Sequence, residues 1–194
     1  MFTSDTSLGH SGKTNCGRTV SLTFPESEYR ARLQRTGQKL RESGLAALLV
    51  FAQESHLYLT GFDTAGYVIF QCGIITADGN AVALLTRRPD LNQALRASLY
   101  EDLHNWYNAN DADPAADLAS ILRDLGLEGE RLGIELATYG LTGFNWESVR
   151  KTLGPQFVLE DGSAIVRDQR LIKSEAELGL VRRSARLADD AVEA

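Results

Sequence analysis

Residues 45–62 read LAALLVFAQESHLYLTGF, and their first seven positions form an unbroken apolar run of strand length. A strand that is apolar at every position is covered on both faces, as in the parallel part of an α/β sheet. The following residues end in Thr60-Gly61-Phe62, where glycine permits a sharp change of chain direction. This stretch therefore predicts a buried strand at the centre of a sheet.

A helix is predicted before this strand. Thr23 and Glu26 have the spacing of an amino-terminal capping box, Pro25 suits a helix start, and Gly44 can end the helix. The apolar positions that share one helical face are Tyr29, Leu33, Gly37 and Leu40. The chain thus starts with a helix followed by a strand.

Elements of both kinds follow the strand. Asp78-Gly79 lies between two β-rich runs, 67–76 and 81–86, which predicts an antiparallel hairpin. Further strands are predicted at 103–107, 131–136 and 156–159, and helices at 113–125 and 142–153. The fold class predicted is α/β, with a mixed sheet flanked by helices.

Composition and charge limit the partners. The chain has 194 residues and a formal net charge of −6, and no apolar run approaches the ~20 residues that span a bilayer. Residues 101–130 carry eight acids and a single base, Arg123, which argues against a nucleic-acid partner. Two cysteines, Cys16 and Cys72, fit a reducing compartment. We expect a cytoplasmic protein without a membrane or nucleic-acid partner.

Three regions are predicted along the chain. Residues 1–22 read as a flexible tail, because they are rich in Gly, Ser and Thr and lack an apolar period. Gly12-Lys13-Thr14 in this tail resembles the end of a phosphate-binding loop only by chance, since no strand precedes it. Residues 23–162 form the α/β domain, and residues 163–194 a linker and the start of an amphipathic helix that continues to the last residues.

Four segments, 48–50, 58–62, 131–135 and 170–178, occur in the order seen in creatinase, prolidase and aminopeptidase P. The chain resembles the amino-terminal domain of that family. Its segment Tyr58-Leu59-Thr60-Gly61-Phe62 carries the most weight, and Ser55 departs from the Asn that many relatives have. The resemblance implies a ribonuclease H-like α/β domain. In complete relatives, a catalytic pita-bread domain follows this domain in the chain. Residues 163–194 would then contain a linker and the start of a truncated catalytic domain.

The resemblance also implies a function for the complete protein. Family members hydrolyse Xaa-Pro peptide bonds or related C–N bonds with two divalent metal ions, held by Asp, Asp, His, Glu and Glu of the catalytic domain. None of these ligands corresponds to a residue of this chain. The expected partners are the protein's own catalytic domain, a second copy in a homodimer, and a small peptide or amide substrate.

The loop after the family segment is a candidate gate. Residues 61–67 contain two glycines and place an acid between aromatic residues. In family dimers this region approaches the partner subunit's active site, which makes Phe62, Asp63 and Tyr67 candidates to shape substrate access. The alternative is a plain connector.

Other chemistry is scarce in the sequence. His10, His56 and His104 lack a familiar metal-ligand spacing, and Cys72 alternates like a residue in the core of a strand, which predicts an inert thiol. No catalytic or metal-binding residue is therefore assigned. The remaining alternative is a self-contained α/β metal-dependent hydrolase or nuclease that uses carboxylates such as Asp63 and Glu135.

Overall fold

A computed structural model describes residues 21–193. Within them lie six strands: β1 (Ala47–Val50), β2 (Cys72–Thr76), β3 (Ala81–Arg87), β4 (Asp102–Trp106), β5 (Arg131–Ile134) and β6 (Val158–Asp161). The α-helices of the same part are α1 (Glu26–Glu42), α2 (Gln53–Thr60), α3 (Arg88–Ala97), α4 (Pro114–Asp124), α5 (Gly143–Leu153), α6 (Ser163–Gln169) and α7 (Glu175–Glu193). One 3₁₀ turn covers Gly66–Val68.

The strands form one mixed sheet in the order β4-β3-β2-β1-β5-β6. β2 runs antiparallel to both β1 and β3, whereas β1 with β5, β5 with β6, and β3 with β4 are parallel pairs. β1 lies inside the sheet and all four of its residues are buried. The predicted mixed α/β fold, the buried central strand and the hairpin are therefore confirmed.

Two apolar layers cover the sheet. Successive side chains of a strand point to opposite faces, so Leu49 packs into the layer that contains α4 and α5, and Leu48 into the layer that contains α1 and α2. Val166 of α6 is fully buried in the second layer. This arrangement places α2 and α6 on the same face, beside the carboxyl ends of β1 and β5.

Some local expectations were wrong. The capping box does not form, because Pro25 is the residue before α1 and no side chain caps that helix end. The strand predicted from residue 67 begins only at Cys72, since Gly66–Val68 form the 3₁₀ turn. The sequence reading also missed three helices, α2, α3 and α6, which are short and lie between more regular elements.

The predicted division into domains stays a prediction. The packing of α6 bears on the boundary that is expected at residue 162. α6 follows the expected boundary at residue 162, yet it packs on α1, and Gln169 Nε2 donates to Thr36 Oγ1 at 2.9 Å. The packed unit thus continues beyond Gly162. The glycine-lysine-threonine segment 12–14 and nearly all of the predicted tail lie outside the described residues.

The helix predicted from Ser174 is present as α7. None of its residues is buried, and its apolar positions Val181 and Leu187 are 58% and 62% exposed. Ser174 and Glu177 form a reciprocal capping box at its start, with bonds of 2.8 and 3.3 Å. Across residues 21–193, no helix combines the length and apolar character that crossing a bilayer requires.

Candidate functional site

The carboxyl ends of the parallel strands β1 and β5 border a small cleft. Ligand sites of open α/β sheets lie at this edge, because the loops that leave adjacent strands separate there. α6 closes the other side of the cleft. The polar side chains that line it are Glu54, Ser55, Glu135, Ser163, Arg167 and Arg170.

Glu135 directly follows β5 and is only 3% exposed. Its Oε2 accepts hydrogen bonds from the backbone N–H groups of Phe51 and Ala52 at 3.0 and 2.9 Å. Its Oε1 accepts from Ser55 Oγ at 2.6 Å. These donors belong to the end of β1 and the start of α2, so one carboxylate holds the junction between them.

Burial dominates the electrostatics of this carboxylate. Removal from water raises the pKa of Glu135 to about 7, while its three hydrogen bonds oppose the rise and the charge of Glu54 adds to it. A pKa near neutrality is a property of many functional carboxylates, although buried structural groups share it. Ser55 thus contributes directly to the environment of Glu135.

The candidate gate follows the other end of α2. Gly61 ends that helix with φ of 79°, in the left-handed region that glycine adopts without strain. Phe62 is 0% exposed, and its ring packs edge-on against His56 at 5.9 Å between centroids. The Phe62 ring is therefore part of the core, and its proposed part in substrate access stays a prediction.

Asp63 is exposed, and its backbone carbonyl accepts a hydrogen bond from the Gln93 side chain on α3. Tyr67 lies in the 3₁₀ turn Gly66–Val68, four residues later in the chain. The structure places all three candidates on one loop and brings an acid to its surface. A role of the loop in substrate access stays a prediction.

His56 belongs to α2 and is fully buried, with Nδ1 2.7 Å from Tyr100 Oη. Burial lowers the pKa of His56 to about 3, so the ring is neutral at physiological pH. His56 is thus packed in the core and hydrogen-bonded from within a helix. His104 lies on β4 within 3.0 Å of Asp102, and His10 lies outside the described residues.

Cys72 is buried on β2, and burial followed by the charge of Glu135 raises the pKa of its thiol. A thiol that stays protonated is a poor nucleophile, which agrees with the predicted inert cysteine.

The carboxylates of the alternative hypothesis are not brought together. Glu135 lies at the amino-terminal end of α2 and Asp63 follows its carboxyl-terminal end, and a helix of eight residues is about 12 Å long. Two-metal sites need shared ligands around ions about 4 Å apart. Within residues 21–193, no three His, Cys, Asp or Glu side chains are close enough to hold a metal ion.

A second cluster, which the sequence reading missed, surrounds Arg32 of α1. Its guanidinium is 1% exposed and donates to the backbone carbonyl of Tyr58 at 2.9 Å. Ion pairs join it to Glu28 at 3.2 Å and to Glu177 of α7 at 3.5 Å. The aromatic rings that face the guanidinium, with centroids 4.3–5.2 Å from it, belong to Phe24, Tyr29 and Tyr58.

One signal for this cluster was present in the sequence. Glu28 and Arg32 have the i, i+4 spacing of a helical ion pair, and Arg32 lies between the apolar positions Tyr29 and Leu33. A charged residue beside an apolar face indicates a partner elsewhere in the fold. That partner, Glu177, could not be identified from helical spacing.

Comparisons with known proteins agree with this fold. The model of the creatinase/prolidase N-terminal domain matches residues 32–172. An ectoine hydrolase from Halomonas elongata is 28% identical over 172 residues, which cover 84% of this chain and 42% of that protein. The structure of a dipeptidase from Pyrococcus horikoshii has a TM-score of 0.67 at 22% identity, covering 84% of this chain and 42% of that one.

A third comparison concerns a domain solved by itself. The N-terminal domain of the cytoplasmic peptidase PepQ from Mycobacterium tuberculosis has a TM-score of 0.54 at 21% identity, over 72% of this chain and 98% of that domain. The chain thus spans less than half of the hydrolase it matches and nearly all of this isolated domain. Since the family model covers most of its length, the chain belongs to the family of creatinase/prolidase N-terminal domains.

Proposed function

We propose that this chain is the noncatalytic amino-terminal domain of a metal-dependent hydrolase, Xaa-Pro dipeptidase-like or amidinohydrolase-like, and that it contributes dimerisation and substrate gating. The observation that carries the proposal is the family match over residues 32–172. The match to 42% of the length of a named hydrolase supports it, because it leaves more than half of that protein to carry other parts of its function.

The chemistry of the described residues supports a noncatalytic role. The carboxylate of Glu135 is occupied by three donors of its own chain, and the histidine of α2 is buried and neutral. Both groups are hydrogen-bonded to other parts of the fold. The proposed reaction therefore takes place in a catalytic domain outside this chain, where two divalent metal ions would activate water and polarise the scissile carbonyl group.

The proposed substrate is a small peptide or amide, and the proposed assembly is a cytoplasmic homodimer. A relative named for the hydrolysis of ectoine favours small substrates with C–N bonds. Asp63 supplies the chemical basis of the gating proposal, because an exposed carboxylate on a loop attracts a cationic group of a substrate. We propose that this loop faces the active site of the partner subunit.

The first prediction concerns the 194-residue chain alone. We expect no cleavage of Xaa-Pro dipeptides when it is incubated with Mn²⁺, Co²⁺ or Zn²⁺, because the proposal assigns the metal ligands to another domain. The measurement is release of proline, with an active prolidase as the positive control. Metal-dependent turnover that disappears when Glu135 or Asp63 is mutated would contradict the proposal and favour a self-contained enzyme.

The second prediction concerns Asp63→Asn in a protein that contains this domain and its catalytic domain. We expect kcat/KM for a cationic substrate to fall roughly 5- to 100-fold, since the substitution removes one charge-assisted contact and preserves size. The melting temperature should stay nearly fixed, because Asp63 is exposed. Kinetics and thermal melts are measured on the same preparation.

Asp124→Asn is the matched control, since Asp124 is an exposed acid on α4, on the opposite face of the sheet from α2. It should leave kcat/KM unchanged for every substrate. Equal kinetics of the Asp63 variant and the wild type on cationic and neutral substrates would mean that the loop is only a connector.

A further inference from the structure

We propose that a groove between α1 and the carboxyl-terminal end of α6 binds a small zwitterion, an amino acid or dipeptide that carries both a carboxylate and an ammonium group. The groove has a volume of about 430 Å³, which is in the range of small-molecule sites. The lining side chains on which the proposal depends are Arg35, Lys39, Asp168, Gln169, Ile172 and Lys173. We call this groove the linker groove, because it extends onto the residues that join α6 to α7.

The observation that points to a ligand is the side-chain amide of Gln169, a residue that is only 9% exposed. Its Nε2 donates to Thr36 Oγ1 at 2.9 Å and to the backbone carbonyl of Ile165 at 3.3 Å. Because Nε2 has two acceptors, the orientation of the amide is fixed. Within residues 21–193, the other amide atom, Oε1, is buried and has no hydrogen-bond partner. Such an oxygen favours a ligand that brings a donor.

Three cations of the linker groove favour the carboxylate of a ligand. Arg35 and Lys39 lie one turn apart on α1, and their charged groups have no hydrogen-bond or ion-pair partner among the described residues. Like charges at this spacing repel each other, so an anion that contacts both of them is favoured. Lys173 Nζ donates to the carbonyls of Arg170 and Leu171, which leaves the third of its N–H groups for a ligand.

Asp168 distinguishes the linker groove from a simple anion site. Its carboxylate is 47% exposed and pairs with Arg167 at 3.3 Å, which leaves acceptor capacity for a ligand. Together with Gln169 Oε1 it gives the groove two acceptors on neighbouring residues. An ammonium group has three donors and a positive charge, so it matches these acceptors, whereas a phosphate ion would be repelled by Asp168. A zwitterion therefore satisfies both the cations and the acceptors.

Ile172 adds an apolar contact to the linker groove. It is 85% exposed, and an apolar side chain of the ligand would cover part of it. L-Leucine combines such a side chain with both charged groups and is therefore the ligand chosen for the test. The proposal does not depend on the proposed function, because its residues belong neither to the cleft beside Glu135 nor to the candidate gate.

The third prediction is tested by NMR titration of the ¹⁵N-labelled 194-residue chain at neutral pH. We expect L-leucine to cause saturable shifts at residues 35–39 and 168–174, with a Kd of roughly 1 mM. N-Acetyl-leucine lacks the ammonium group and leucinamide lacks the carboxylate, so each should bind about 10-fold more weakly. Inorganic phosphate, the test of a simple anion site, should also bind about 10-fold more weakly than leucine.

Two variants separate the charges of the linker groove. Lys39→Gln should weaken leucine binding roughly 5- to 10-fold, and Asp168→Asn should remove the preference for leucine over N-acetyl-leucine. Lys151→Gln is the matched control, because Lys151 is exposed on α5, on the opposite face of the sheet. Equal affinities of the wild type for leucine, N-acetyl-leucine and phosphate would overturn the proposal in favour of a simple anion site. Shifts that do not saturate would overturn it too, and neither result requires a variant to fold.

Discussion

Arg32→Ala is expected to lower the free energy of unfolding of the domain by about 3–5 kcal/mol. The guanidinium is 1% exposed and bridges three elements through the Tyr58 carbonyl, Glu28 and Glu177. Removal of the guanidinium leaves the carboxylates of Glu28 and Glu177, which are 19% and 17% exposed, without their cation. It also removes the contacts with three aromatic rings. This large loss of stability is the fourth prediction.

Urea denaturation of the 194-residue chain measures this loss as a lower midpoint at constant slope. Arg30→Ala is the matched control on the same helix, because the ion pair of Arg30 with Glu26 is about half exposed. We expect it to change stability by less than ~0.5 kcal/mol. An equal, small effect of both substitutions would mean that the Arg32 cluster does not stabilise the fold.

Arg32→Lys separates charge from shape. Lysine keeps the positive charge, yet it lacks the planar fork that contacts Tyr58, Glu28 and Glu177 together. We expect the free energy of unfolding of Arg32→Lys to lie between that of the wild type and that of Arg32→Ala. Because Glu177 also caps α7, hydrogen exchange should show faster opening of the first turn of α7 in both Arg32 variants.

The elements that the sequence predicted well are those that local patterns determine. The run at 45–51 is apolar throughout because β1 is buried on both faces, and Asp78-Gly79 forms the turn because glycine adopts its φ of 84°. α4 begins with the Asp113-Pro114 pair and ends before Gly126, as its caps predict. In each case neighbouring residues carry the information.

The site was predicted only in part, because its decisive contacts join distant residues. Glu135 contacts residues about 80 positions earlier, and Arg32 contacts Glu177 on the last helix. Neither pair has a periodic spacing that a reading of one segment can detect. α2 was missed for a related reason: it is buried on several sides, and so it lacks the single apolar stripe of a surface helix.

Phe62 illustrates the limit of reading a loop from its composition. Two glycines and an acid indicate an exposed connector, and Asp63 is indeed exposed. Phe62, however, follows directly after α2, and its ring fills the space beside His56. The large gain from burying an aromatic ring decides its position over the polar character of the loop. Of these two residues, Asp63 is the one whose side chain is exposed.

Gly140→Ala is expected to destabilise the loop that follows β5. A Cβ atom on Gly140 would lie 1.9 Å from the backbone oxygen of Phe51, and a backbone atom cannot swing away as a flexible side chain can. The loop after β5 would have to move away from the end of β1, where Glu135 holds the N–H of the same Phe51. We expect a loss of roughly 3 kcal/mol or more, which combines overpacking with a strained buried hydrogen bond.

Thermal melts of the 194-residue chain measure this fifth prediction, with an expected fall in Tm of roughly 6–12 °C at about 2–4 °C per kcal/mol. Gly143→Ala is the matched control three residues later, because a Cβ atom there meets nothing within 4 Å. It lies in the first turn of α5, where alanine has the better helix propensity, so its Tm should be unchanged or slightly raised. If both variants melted like the wild type, the loop after β5 would not be held against Phe51, and the close packing of the cleft around Glu135 would be contradicted.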